Sequence, residues 1–520
     1  MKKLLLGTAA ATALVLGSFA QSENPKVENM NIEEFAAKSN VDDVMAHLQA
    51  LKDISVTTGD TREAGTAGYD LSSHYVAMKL IAAGYDVRLQ PFEFDKYEIV
   101  TPSKFSQEAP KQVEYVSEEN FNTMSYSPSG NVKALVQAVD LDLGEGNSST
   151  SGCEIEDFEG FPTGYIAVVQ RGACSFRQKA ENAEAAGAAG VVVFNQGNDE
   201  GRKELFNGTL GKGPLNIPVF SVGYDLGVEL ATAGTILNMT ADTLATTTMT
   251  HNVLAETKGG NADNVIMIGS HLDSVAAGPG INDNGSGSAA ILDVALKIAK
   301  IEPNNKVRFA WWGAEEHGLV GSRHYTANLT EKEVSQIALY LNFDMIGSKN
   351  FIYGIYDADG SKFDVPGPKG SAAIEKLFHD YFAVNGNKTI EVEANGRSDY
   401  VGFAEKGIPF GGSFTGAEVA KTAEQVALFG GEEGVAYDAC YHKDCDTMEN
   451  INREALEMNH RMIMYAALTY ARSTEDVDKE KSGQESFTFM SNHWAETKSF
   501  FRPDQYPKHV SCHSGVLHAN

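Results

Sequence analysis

Val265-Ile-Met-Ile-Gly-Ser-His271-Leu-Asp273 is an apolar run of strand length that ends, with no intervening turn, on an imidazole and a carboxylate. The pattern recurs twice. Lys306-Val-Arg-Phe-Ala-Trp-Trp312 leads through Gly313 into Ala314-Glu315-Glu316-His317, and Ile337-Ala-Leu-Tyr-Leu-Asn-Phe343 leads into Asp344. Helical stretches over 288–300, 371–384 and 453–472 lie between or after these runs. Near-continuous apolar strands alternating with helices predict an α/β fold, a mostly parallel central sheet flanked by helices. Ligands of such sheets bind beyond the carboxyl ends of the strands, so the three polar endings should converge.

Two further segments point to the same place. Gly280-Ile-Asn-Asp283-Asn284-Gly285-Ser-Gly287 is a glycine-rich turn between the first two strands and can bring one carboxylate there. His442 stands in a loop that Cys440 and Cys445 can clamp. Any one of these residues reads as a solvated surface group. Two imidazoles and three carboxylates at strand ends or constrained loops together form a donor set suited to zinc.

Outward from this centre the texture changes. Toward the N-terminus, helical patterns over 41–54 and 69–83 flank a glycine-punctuated loop at 60–68; the second ends at Gly84, a suitable left-handed stop. Residues 85–94 alternate like a strand. Residues 126–241 read as short strands (131–139, 164–170, 190–195, 217–222) around an Ala-rich helix at 175–189. That block contains no histidine, which marks it as an accessory insertion and not a holder of catalytic metal. Residues 23–40 are polar and weakly periodic, a linker or a removable pro-segment. Beyond 473 no periodicity is usable.

Composition bounds the function class. With 520 residues, 42% hydrophobic and 22% charged, the chain is a soluble globular protein of two or three domains. A formal charge of −28 argues against nucleic acid, whose binding needs an excess of Lys and Arg. Lys2 and Lys3, an apolar run from Leu4 to Leu16 and small residues at Ser18-Phe-Ala20 read as an export signal. No second apolar stretch is long enough to anchor the chain in a membrane, and oligomeric state leaves no trace. In an oxidising compartment the five cysteines read as two local disulfides, Cys440 with Cys445 and Cys153 with Cys174, leaving Cys512 over. A cysteine-based zinc site would need a CxxC pair, and there is none. Sequons at Asn147, Asn207, Asn238, Asn284, Asn328 and Asn387 offer glycosylation acceptors.

The motifs SHLDSV (270–275), GINDNGSG (280–287), WWGAEEHGLVGS (311–322), LNFDMIG (341–347) and CYHKDCDT (440–447) resemble, in order and separation, those of the M28 zinc aminopeptidases. The likeness spans about residues 57–472. It implies that Asp283 bridges two Zn2+ ions, with His271 and Asp344 completing one site and Glu316 and His442 the other. Glu315 would be the general base, Tyr441 a donor to the oxyanion, and Arg397 a contact to the substrate backbone. Asp273 would accept from the far nitrogen of His271, while His317 and His324 would not be ligands. The segment Gly164-Tyr-Ile-Ala-Val-Val-Gln-Arg-Gly-Ala-Cys-Ser-Phe176, with the Ala-rich helix after it, resembles a protease-associated (PA) domain. The implied organisation is a signal at 1–20 and a linker or pro-segment at 21–40. A discontinuous catalytic domain follows at 41–125 and 250–473, interrupted by a PA domain at 126–249, with a tail at 474–520.

The implied activity is a secreted dizinc exopeptidase, with a vacuole-like compartment as the other address. It acts on peptides with a free N-terminus, with Glu315 and Asp344 holding the amine and large apolar side chains such as Leu preferred. A carboxypeptidase of the same superfamily would need a basic cluster for the substrate carboxylate, and Arg397 alone stands near the motifs. A glutaminyl cyclase relative would use one zinc. A non-catalytic PA-domain binding protein would be expected to have lost ligands, and all five are present.

Overall fold

The computed structural model describes residues 25–483. The export signal at 1–20, the tail beyond 483 and Cys512 lie outside the described residues. The catalytic sheet is built from β1 (Asp86–Ala109), β2 (Ile236–Glu256), β3 (Asn261–His271), β4 (Asn305–Trp312), β5 (Ile337–Phe343), β6 (Gly354–Tyr356), β7 (Ile390–Val392) and β8 (Phe410–Phe414). Their spatial order is β7-β6-β8-β5-β3-β4-β2-β1. The central four, β8, β5, β3 and β4, are parallel, whereas β6 and β2 join them antiparallel. All seven residues of β5 are buried, as a strand covered on both faces requires. From β3 the chain moves to β4 on one side and later to β5 on the other, so the strand order reverses at β3 and opens a crevice there.

Helices α1 (Val41–Thr57), α2 (Ala67–Ala83), α3 (Gly287–Ile298), α4 (Ser371–Val384) and α5 (Arg453–Arg472) cover the sheet. Their starts are written locally. Asn40, Thr66 and Asn452 accept from backbone N–H groups in the first turns of α1, α2 and α5, an arrangement worth about 1 kcal/mol each. Gly84 closes α2 at φ 95°, the left-handed stop expected from the sequence. One apolar core joins α1, α2, α3 and α5 to the inner strands through Leu48, Val76, Ile291, Ile268, Leu341 and Ile463.

Three expectations are modified. The strand expected over 85–94 continues to Ala109, because it pairs with β2 from Asp86↔Glu256 to Ala109↔Ile236, with register shifts after Ile99, Thr101 and Gln107. This ribbon forms the stem of the insertion; β1 ends before the expected boundary at 126, whereas β2 runs across the one at 249. The segment expected as a linker folds against the core from residue 25 on: Val27 and Phe35 are buried, and the Val27 N–H donates to the Glu302 carbonyl. The start of the tail also has a place. Glu475–Ser482 is helical, with Val477 buried and the Glu480 carboxylate accepting the backbone N–H of Gly370 and Ala373 at the start of α4.

The insertion carries parallel strands Gly130–Ala138, Ile166–Gln170, Gly190–Phe194 and Val219–Val222, with apolar clusters of their own. Cys153–Cys174 and Cys440–Cys445 are disulfides, with Cα–Cα distances of 5.7 and 5.3 Å. No helix among the described residues is long and apolar enough to cross a membrane.

Candidate metal centre

His271 is the last residue of β3, pairs in register with Trp312 at the end of β4, and faces Asp344 just past β5. Its Nε2 lies 3.3 Å from Asp344 Oδ1 and 3.3 Å from Asp283 Oδ1. The other oxygen of Asp283 lies 3.1 Å from His442 Nε2, which is 3.2 Å from Glu316 Oε2. Asp283 therefore offers one oxygen to each of two donor sets. Glu315 sits beside the first, its Oε2 3.9 Å from His271 Nε2. The structure brings together every residue the sequence placed at this centre.

The turn that presents Asp283 is fixed from several sides. Gly280 has φ 60°, and a Cβ there would overlap the Asp283 carbonyl, so only glycine fits. The Asn284 amide donates to Ser270 Oγ (2.9 Å) and to the Phe343 carbonyl (3.0 Å), tying the turn to the ends of β3 and β5. Asn284 is thereby fully buried, which removes this sequon as an acceptor in the folded chain. The carboxylate of Asp446 accepts the N–H of both Asn282 and Asp283, each at 2.9 Å.

Two residues with expected roles have further partners. His271 Nδ1 is 3.1 Å from the main-chain carbonyl of Asp273 and 3.6 Å from its carboxylate. That carboxylate instead accepts the backbone N–H of Glu315 and of Glu316, each at 3.2 Å. Asp273 thus aims the loop bearing two functional carboxylates as well as the imidazole. Arg397 lines the cavity but donates to Glu418 Oε1 (2.6 Å) and to the Tyr441 hydroxyl (3.0 Å), so its guanidinium is already engaged. Tyr441 in turn stacks on His442, ring centroids 3.8 Å apart. His317 and His324 pack against Phe94 and Phe92, and neither belongs to the ligand clusters described below.

Arg62 is a residue that sequence patterning does not single out. Fully buried, it donates to the carbonyls of Leu272, Pro279 and Gly280, and so ties the His271 and Asp283 segments together. Burial pushes its guanidinium down to about 10, with Asp273, Asp446 and Asp283 opposing. It lies within the glycine-punctuated loop at 60–68, whose texture gives no hint of this role. Ser398, which donates to Asp344 Oδ2 at 2.6 Å, is equally silent in the sequence, although it adjoins Arg397.

The donor chemistry fits divalent metal. His271, Asp283 and Glu316 have ligand atoms within 4.8 Å of one another, as do His271, Glu315 and Asp344. Burial raises the Glu315 carboxyl well above its ordinary range and lifts Glu316 to about 7, despite the attraction of His271 for the one and His442 for the other. Buried carboxylates clustered with two imidazoles call for a cationic partner, and divalent cations would supply it. A cavity of about 400 Å3 opens from this cluster; Met345, Ile352, Tyr356, Ile390, Val392 and Phe414 form much of its other wall.

The model of peptidase family M28 matches residues 252–467, and that of the PA domain matches residues 133–230. An aminopeptidase of Pseudomonas aeruginosa is 52% identical over 439 residues, covering 84% of this chain and 82% of that protein. Leucine aminopeptidase 2 of Trichophyton rubrum is 40% identical over 482 residues, covering 91% and 93%. Among solved structures, the aminopeptidase from Aneurinibacillus sp. strain AM-1 superposes with a TM-score of 0.66 at 26% identity, covering 85% of this chain and 96% of that one. The chain belongs to peptidase family M28.

Proposed function

We propose that this chain is a secreted aminopeptidase that works with two zinc ions and releases N-terminal residues with large apolar side chains. The observation that carries the reading is the division of Asp283, one oxygen toward His271 and Asp344, the other toward His442 and Glu316. In this reading those five residues hold the metals. The names of the P. aeruginosa and T. rubrum relatives support the activity, and the second supports leucine. Export is supported by the N-terminal sequence and the two disulfides. Residues 41–125 and 250–473 would form the catalytic domain, interrupted by the PA domain.

Two zinc ions, when bound, polarise the scissile carbonyl and lower the pKa of water. The protein supplies the rest. Glu315, buried beside His271, takes the proton of the attacking water and delivers it to the departing amine. Asp273 holds the backbone of Glu315 so that the carboxylate faces the cavity. Arg397 donates to the oxygen of Tyr441 and so holds the phenol beside the cavity, where it would serve as a donor to the developing oxyanion. Glu315 and Asp344 accept the ammonium of the substrate, and the apolar wall takes its first side chain. Among the described residues lining the cavity Arg397 is the one arginine or lysine, and it is paired with Glu418 and Tyr441, which disfavours the carboxypeptidase alternative.

The test compares Leu-p-nitroanilide, its N-acetyl derivative and a C-terminally blocked peptide, each with and without a chelator. Cleavage of the first and third, abolished by the chelator, with none of the second, is expected. Cleavage of the acetylated compound at a similar rate would overturn the aminopeptidase reading.

A further inference from the structure

Glu315 and Glu316 ride on a closed loop, Gly313 to Gly321, whose geometry is unfavourable on its own. Ala314 (φ 56°) and Leu319 (φ 61°) both occupy the left-handed region without being glycine. Internal bonds tie the loop to itself, from Gly318 and Leu319 N–H to the Glu315 carbonyl and from Val320 N–H to the Ala314 carbonyl. Asp273 fixes its acidic tip. Its two ends meet around one side chain that the mechanism above does not use.

That side chain is Asn252, which is fully buried. Its Oδ1 accepts the N–H of Gly313 at 3.1 Å, its Nδ2 donates to the Gly321 carbonyl at 2.9 Å, and Gln90 Oε1 accepts from the same Nδ2 at 3.0 Å. One carboxamide thus satisfies a donor and an acceptor at opposite ends of the loop. The neighbours leave it room only because they lack side chains. A Cβ on Gly321 would overlap both Asn252 Oδ1 and the Gly313 carbonyl, and one on Gly313 would press on the Tyr69 hydroxyl and the His251 carbonyl. Asn252 lies on β2 opposite Gln90 of β1, where the stem of the insertion enters the catalytic sheet.

We infer that Asn252 is a positioning residue for catalysis: its carboxamide clamps the neck of the 313–321 loop and thereby sets where Glu315 and Glu316 stand. The inference rests on the reading of Glu315 as base and Glu316 as ligand. Without the clamp, two unpaired backbone groups and two strained residues favour relaxation of the loop, and small displacements of a base are costly to turnover.

The test uses three variants of the full chain, each with kcat, KM and zinc retention under graded chelator. Asn252→Leu keeps the shape and removes the clamp. Gly321→Ala suits the helical backbone that begins there and attacks the clamp from the other side, so it carries the test if Asn252→Leu fails to fold. Val253→Ala is the control, a buried neighbour on the same strand whose side chain belongs to the main apolar core and makes no hydrogen bond to the loop. Asn252→Leu and Gly321→Ala should each lower kcat by about 10–100-fold with KM within about threefold, and should release zinc at lower chelator concentration. Val253→Ala should lower thermal stability without that signature. Wild-type kcat in folded Asn252→Leu or Gly321→Ala, or an equal kcat loss in Val253→Ala, would overturn the inference. Glu315→Gln, assayed alongside, separates the two readings. If it is inactive while the clamp variants are normal, only the clamp falls; if it is fully active, the base assignment falls and the clamp with it.

Discussion

The two walls of the cavity are built on different terms. On one side the ends of β3, β4 and β5 present His271, Glu315 and Asp344, joined by Asp283, all buried and each held by further hydrogen bonds or by the loop beneath it. On the other side Ile352, Tyr356, Ile390, Val392 and Phe414 come from short strands and their connections. The first wall depends on a few atoms at set positions. The second depends on summed apolar area, in which no single residue decides. Chemistry should therefore be brittle to substitution and specificity graded.

The sharpest way to break this contrast is at Glu315. Glu315→Gln should lower kcat by about 10²–10⁴-fold while retaining the metals, the range expected for loss of a general base. Steady-state assays and atomic emission check both halves; a modest loss would make the metal wall as tolerant as the apolar one.

A second test comes from behind the metal wall. Helix α1 buttresses the Asp283 turn, with Leu48 against Gly285, and carries the buried His47, whose Nδ1 lies 2.7 Å from the Tyr75 hydroxyl. Burial pushes this imidazole down to about 4, with Lys79 adding to the effect and Asp293 opposing. Its folded pKa lies below its unfolded value, so between pH 6.5 and 4 the unfolded chain binds more protons. Stability should fall as the pH is lowered through that window, by up to about 3 kcal/mol from this group. Denaturant melts of the wild type and of His47→Gln should show a shallower fall in the variant; equal slopes would remove His47 from the account.

The smallest effect belongs to the apolar wall. Phe414→Ala should lower kcat/KM for Leu-p-nitroanilide by about tenfold, roughly 1.4 kcal/mol, through KM, and leave an Ala substrate nearly unchanged. Equal losses on both substrates would show that Phe414 supports the metal wall and not the side-chain pocket.

The same contrast explains what could be read from sequence. His271, Glu316 and Asp344 were legible because an apolar strand announces the position of the residues at its carboxyl end, and Asp283 because glycines at 280, 285 and 287 bracket it. The cavity wall was not: β6 and β7 are three residues each, too short for periodicity, and β8 contains two glycines. Arg62 was missed because a buried arginine donating to three backbone carbonyls leaves no pattern in its neighbours. Asn252 was equally silent, since it looks like any polar residue in an alternating strand. The roles of Asp273 and Arg397 needed coordinates, because each residue is within reach of several partners and only geometry selects among them.

The central claim is that Asp283 joins two zinc sites. It is tested most directly by the zinc content of the purified chain, measured by atomic emission after dialysis against metal-free buffer, for the wild type and for Asp283→Ala. The account predicts two zinc ions per chain in the wild type and at most one, weakly held, in the variant. One zinc per chain in the active wild type, or two retained without Asp283, would contradict it.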